Sequence, residues 1–200
     1  METYGRTWAL CGGWAVDAWL GRPTRDHGDV DIAVFQDDHR ALFEHLTGWQ
    51  LVAHPPNWAG DTSELWDGRR IDIPGHVHGR FGDEPMPESP ILMPEDGFTL
   101  DIQINERSGG EWAFCREPRI TLALERAIGQ SRWGLPTLTP EGILLYKSGV
   151  ADVGDVFGFL RRRDKLDFVA LLPQLASGQR DWLREALVLA GHPWLSQLAS

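Results

Sequence analysis

The chain has 200 residues, 42% hydrophobic and 24% charged, proportions of an ordinary globular chain that exclude wholesale disorder. No apolar run approaches the roughly 18 residues of a membrane span, no signal-peptide pattern opens the sequence, and Cys11 and Cys115 sit in apolar segments as buried thiols, so a cytoplasmic protein is expected. The net charge of −10 lies wholly in residues 1–138, with 12 basic against 22 acidic side chains, whereas residues 139–200 hold seven of each. Such a surface disfavours nucleic acid and suits a cationic ligand or divalent metal ions.

Taken in chain order, Trp8-Ala9-Leu10-Cys11 is a short apolar run ending at Gly12-Gly13, which reads as a strand entering a tight turn. From Trp14 to Leu20, the side chains of Ala15, Val16, Trp19 and Leu20 share a helical face, and Gly21 and Pro23 mark its stop. Asp29 to Phe35 alternates at period two apart from Ala33 and predicts a strand. Asp37 or Asp38 caps a short helix to Leu46, Gly48 ends it, and Trp49 to Ala53 returns as a strand. A hairpin is predicted around Asp67-Gly68, with Ile71 and Ile73 on one face of its second arm. The rest of residues 55–97, with Pro74, Pro85, Pro87, Pro90 and Pro94, reads as a long loop. Pattern resumes at Phe98 to Asn105 and at Trp112 to Cys115, joined by a Ser108-Gly109-Gly110 turn. Thr139-Pro140-Glu141 starts a helix to about Ser148, and two more follow at 164–176 and 179–190. The expectation is an α+β chain: a mixed α/β core over 1–138 and a helical C-terminal part over 139–200.

Asp29 and Asp31, two apart on a strand, emerge from one face about 6.5 Å apart along the chain, while Val30, Ile32 and Val34 point into a core. Leu100, Ile102 and Ile104 repeat the arrangement with Asp101 and Gln103 on the other side. Paired in register, these strands would bring three carboxylates together, and such a set needs cations, most simply Mg²⁺. The Gly12-Gly13 turn before a helix offers backbone amides to phosphates. A triphosphate held there would be bridged by metal to Asp29 and Asp31, with Arg25 and His27 within reach.

Leu10-Cys11-Gly12-Gly13-Trp14-Ala15-Val16-Asp17, followed by Gly21-Arg22-x-Thr24-Arg25-x-His27-x-Asp29-Val30-Asp31-Ile32, resembles the antibiotic nucleotidyltransferases: the aminoglycoside 2″-adenylyltransferases and small lincosamide nucleotidyltransferases of the polymerase-β-like superfamily. The resemblance continues at Leu100 to Asn105, at Leu138 to Lys147, and at Asp164-x-x-Asp167-Phe168, covering about half the chain. It implies a polymerase-β-like core with a mixed sheet, Gly12 and Gly13 holding the triphosphate, and Asp29 and Asp31 binding two Mg²⁺ ions. It further implies Asp101 completing the site of the metal that activates the acceptor, and Lys147 neutralising a phosphate. Asp101, or more weakly Glu106, is the expected general base. The implied reaction transfers AMP from ATP to a hydroxyl of a small molecule. An aminoglycoside is the first expectation, since an acidic surface attracts a polycation. A lincosamide or other natural product, and a partner protein adenylylated by an antitoxin-like enzyme, are the alternatives, in a monomer or homodimer.

Three other features invite a reading. His76-x-His78 has a metal-ligand spacing if it lies on a strand, but with no third histidine nearby in sequence a loop is expected. Of the ten tryptophans, Trp14 and Trp19 read as helix-face core, and Trp58, Trp66, Trp112 or Trp133 as core or pocket wall. Arg161-Arg162-Arg163 reads as a solvated face.

Overall fold

Period-two alternation and the Gly-Gly turn produce the elements expected of them at the start of the chain. In the computed structural model, which describes residues 1–54, 64–81, 99–148 and 162–191, the first half contains β1 (Trp8–Cys11), α1 (Gly12–Leu20), β2 (Asp29–Phe35), a 3₁₀ turn (Gln36–Asp38), α2 (His39–His45), β3 (Trp49–His54), β4 (Glu64–Leu65) and β5 (His76–Phe81). The second half contains β6 (Thr99–Ser108), β7 (Glu111–Ala113), β8 (Thr121–Ala123), α3 (Leu124–Ala127), β9 (Ile128–Gln130) and β10 (Pro136–Leu138). It ends with α4 (Pro140–Lys147), α5 (Arg162–Leu171), a 3₁₀ turn (Leu172–Gln174) and α6 (Ser177–Leu189). Trp58, Phe98, Pro85, Pro87, Pro90, Pro94 and Arg161 lie outside the described residues.

The described strands form a mixed sheet in the order β4-β3-β5-β6-β2-β1-β10-β9, with β7 and β8 continuing from β6. Its centre is the parallel pair β2 and β6, flanked by antiparallel β1 and β5. On one face, Ile32, Val34, Ile102 and Ile104 pack against Leu42 of α2 and Val77 of β5. On the other, Ala33 and Phe35 join Val16 of α1, Ile143 of α4, Phe168 of α5 and Leu183 of α6. The helices after residue 139 thus share a core with the sheet. Ala33, which breaks the alternation in β2, lies on this helix-covered face, where a small side chain admits close packing.

Two expectations need correction. No hairpin forms around Asp67-Gly68: β4 pairs with β3, and Ile71 and Ile73 lie on irregular chain before β5. Side chains take the place of ladder partners there, for the Trp66 indole donates to the Arg69 carbonyl at 2.8 Å and the Gln36 amide to the Ile71 carbonyl at 2.6 Å. His76-x-His78, expected on a loop, opens β5 instead, because that segment finds partners on both sides, β3 and β6. The short elements β8, α3, β9 and β10 carry too few residues for a periodic signal.

Ile102 is fully buried beside Asp101. Ile102→Ala should cost about 2–5 kcal/mol, read as a lowered urea midpoint with an unchanged m-value.

Candidate active site

Register sets the geometry. In the β2–β6 pair Asp31 lies directly opposite Asp101, and Asp29 opposite Thr99. The carboxylates share the face that farther along β2 carries Ala33 and Phe35, at the end of the sheet where the helices leave a cavity of about 170 Å³. Asp29, Asp31 and Asp101 line it, as do Gly12, Gly13, Arg25, His27 and Lys147. A separate cleft of about 330 Å³ beside Trp19 and Arg132 has no carboxylate in its lining.

The carboxylates are electrostatically unequal. Burial, then the charges of Asp101 and Asp29, push the Asp31 carboxyl up to about 7. Burial would raise Asp101 as well, but the imidazole of His78 and those of His76 and His54 outweigh it and hold Asp101 below its ordinary value. The Asp101 Oδ1 atom is buried without a hydrogen-bond partner among the described residues, with His78 Nε2 3.8 Å away. Three carboxylates, one with an unsatisfied oxygen and one driven toward protonation, form an oxygen donor set that fits a hard divalent cation such as Mg²⁺.

The Gly-Gly turn is required by sterics. Gly12 has φ +65°, and a Cβ there would run into the Asp31 carboxylate; one at Gly13 would meet His27 Nδ1 and the Arg25 guanidinium. The start of α1 therefore lies against both the acidic pair and the basic loop, with Gly12 and Gly13 on the cavity wall. Asp17, fully buried on α1, draws that loop inward. Its carboxylate accepts from the Thr24 amide at 3.0 Å, from the Thr24 hydroxyl, and from His27 Nε2 at 2.8 Å. His27 thus spends one nitrogen on Asp17 and turns the other toward Gly13.

The C-terminal helices supply the cations. Lys147, at the end of α4, is 8% exposed, with its Nζ 2.5 Å from Asp167 and 3.6 Å from Asp164 on α5. Arg25 grips the same Asp167 through Nη2 at 3.0 Å and Nε at 3.3 Å. Burial alone would raise the Asp167 carboxyl, yet Arg25 and Lys147 together hold it below its ordinary value. One carboxylate therefore ties the loop before β2 to two helices.

The sequence presents Asp167 only within the Asp164-x-x-Asp167-Phe168 block of the resemblance, with no local signal of its bridging role. Arg116, Tyr146, Gln103, Arg163 and Asp164 also line the cavity without having been singled out as site residues. Arg163 stands at the cavity wall, whereas Arg162 is solvated as expected. Glu106 is exposed, falls on the opposite alternation from Asp101, and does not line the cavity. Trp66 and Trp112 are core residues; Trp133 is 38% exposed and its ring packs 6.2 Å from Trp14.

Beside Asp101, on the same face, three imidazoles gather. His54 lies directly opposite His76, and His78 opposite Asp101. Burial, then the charges of His76 and His78, pull the His54 imidazole down to about 3. Burial, helped by His78 and Arg116 against the opposing pull of Asp101, brings His76 down to about 4.

Residues 1–58 match the family described as aminoglycoside-2''-adenylyltransferase. A comparison with curated proteins gives no significant match. Among solved structures, the solution structure of the antibiotic-resistance factor ANT(2'')-Ia superposes with a TM-score of 0.55 at 15% identity, over 99% of this chain and 86% of that one. The crystal structure of ANT(2'')-Ia in complex with adenylyl-2''-tobramycin gives 0.53 at 15% identity, over 100% and 92%. The lincomycin-bound lincosamide antibiotic adenylyltransferase LnuA gives 0.51 at 17% identity, over 86% and 89%. At these identities the structural likeness is one of fold.

Two outcomes follow from the geometry. Gly12→Ala should cost about 1–2 kcal/mol from its backbone alone and, by displacing Asp31, weaken binding of a divalent cation; unchanged cation affinity in a calorimetric titration would contradict this placement. With His54 and His76 depressed to about 3 and about 4 from 6.5, the unfolded chain takes up protons that the folded chain refuses. Stability should therefore be fully present above pH 6.5 and decline as the pH falls through 6.5 toward 4. Melting temperature against pH reads this, and His54→Gln/His76→Gln should flatten that part of the curve.

Proposed function

We propose that this chain, by the match of its first 58 residues and by its fold a member of the antibiotic nucleotidyltransferases, transfers AMP from ATP to a hydroxyl group of an aminoglycoside-type acceptor, in an Mg²⁺-dependent reaction. The observation that carries this reading is the in-register pairing of Asp31 with Asp101 in one cavity with the Gly12-Gly13 turn, which brings carboxylates and the start of α1 together.

Each residue has a task that follows from its place. The amides at Gly12 and Gly13, with Arg25, take the triphosphate oxygens. Lys147, which lines the same cavity and is held by Asp167 and Asp164, neutralises phosphate charge. Asp29, Asp31 and Asp101 would hold the divalent cations. Bound there, Mg²⁺ would offset the triphosphate charge and lower the pKa of the acceptor hydroxyl. Asp101, whose carboxyl lies below its ordinary value, accepts the proton of that hydroxyl through its unsatisfied oxygen. The hydroxyl oxygen bonds to the α-phosphorus as the bond to pyrophosphate breaks, in line. An aminoglycoside carries several ammonium groups, and the charge of −10 confined to residues 1–138 favours it over a neutral acceptor.

The test is pyrophosphate release with Mg²⁺ and each of the four ribonucleotides, against aminoglycosides and lincosamides separately. Release is expected with ATP and an aminoglycoside, whereas release only with a lincosamide, or with no small molecule offered, would overturn the acceptor assignment. Asp29→Asn should lower kcat by roughly 10²–10³-fold or more while leaving circular dichroism and the melting curve in place. A folded variant at full activity would remove Asp29 from the site.

A further inference from the structure

His54, His76 and His78 are not used by the proposed reaction, yet they form one cluster on a rigid support. His76 and His78 stand two apart on β5 and so share a face, and His54 is brought to the same face as the direct β3 partner of His76. The ring centroids lie 4.6 Å apart for His54 and His76, 4.5 Å for His54 and His78, and 4.8 Å for His76 and His78. One nitrogen from each ring lies within 4.8 Å of the other two. His54 is only 3% exposed.

We propose that these three histidines bind a divalent transition-metal ion of the zinc class, at a site separate from the carboxylates and adjoining them through His78 and Asp101.

Three features of the cluster carry this assignment. The donors are imidazole nitrogens, which favour zinc-class ions, whereas Mg²⁺ takes oxygen. A tetrahedral ion with Zn–N bonds of 2.0–2.1 Å needs ligand nitrogens about 3.3 Å apart, so nitrogens now within 4.8 Å of one another must close by about 1.5 Å at most. The cluster also has an outer carboxylate of the kind that orients metal-bound histidine. His78 Nε2 faces Asp101 at 3.8 Å, while His78 Nδ1 is buried with no hydrogen-bond partner among the described residues and is available to the ion. Three protein ligands leave a fourth position for water or another small donor. The sequence offered only His76-x-His78; the third ligand arrives through strand pairing, which no local pattern shows.

The site does not depend on the nucleotidyl-transfer reading, and its test avoids activity altogether. The chain, stripped with a chelator, is titrated with Zn²⁺ by calorimetry and with Co²⁺ by visible absorption. The Asp29→Asn/Asp31→Asn variant, which disables the carboxylate site, serves as background. One Zn²⁺ per chain should bind in that background, and Co²⁺ should show the intense visible bands of a four-coordinate ion. His76→Gln should weaken binding by roughly 100-fold or more and Asp101→Asn by roughly 10–100-fold, as loss of a ligand and of an outer carboxylate do. The Co²⁺ spectrum needs no histidine variant, so it decides even if His76→Gln does not fold. Absence of stoichiometric binding, a weak six-coordinate Co²⁺ spectrum, or undiminished affinity in folded His76→Gln would each overturn the site.

Discussion

Parallel pairing of β2 with β6 sets Asp31 against Asp101 across neighbouring strands. At a strand spacing of about 4.8 Å, two carboxylates repel by roughly 3 kcal/mol even at an effective dielectric of 20. The fold holds them there because Ile32 and Ile102, on the opposite side of the same strands, are locked into the core with 1% and 0% exposure. A slip of one residue would relieve the repulsion and turn the whole apolar set outward, so the register holds and the electrostatic tension stays. The upward push on Asp31 expresses that tension.

The rest of the cavity is arranged around this constraint. Gly12 exists as glycine because any side chain would strike the Asp31 carboxylate. Asp17 anchors Thr24 and His27, so the loop carrying Arg25 closes over the start of α1. Asp167 then links Arg25 to Lys147, joining that loop to α4 and α5. Two cations from separate parts of the chain, Arg25 and Lys147, thus line the same cavity as the carboxylates. The three histidines extend the polar strip across β5 and β3, beside an Asp101 carboxyl that lies below its ordinary value while that of Asp31 is pushed up.

Much of this was legible in the sequence, for identifiable reasons. The strand at 29–35, the Gly-Gly turn, the helix opened by Thr139-Pro140-Glu141 and the terminal helix each carry a local signal of periodicity or turn chemistry, and they appear where expected. The meeting of Asp29, Asp31 and Asp101 depended on a condition the sequence could pose and only strand pairing could answer. The Asp67-Gly68 hairpin failed because side chains of Gln36 and Trp66, the former distant in sequence, satisfy that backbone. The contacts of His54 and Asp167 leave no trace in the sequence because their partners His76 and Arg25 lie 22 and 142 residues away, beyond any spacing rule.

If the carboxylate pair and the Gly-Gly turn form one site, a nucleotide can use it only when a divalent cation neutralises the acid. The most direct measurement is a calorimetric titration of ATP into the chain with Mg²⁺ and again with chelator. Clear 1:1 binding is expected with Mg²⁺ and its loss in chelator, with Asp31→Asn largely insensitive to added Mg²⁺. Equal ATP affinity with and without the cation would contradict it.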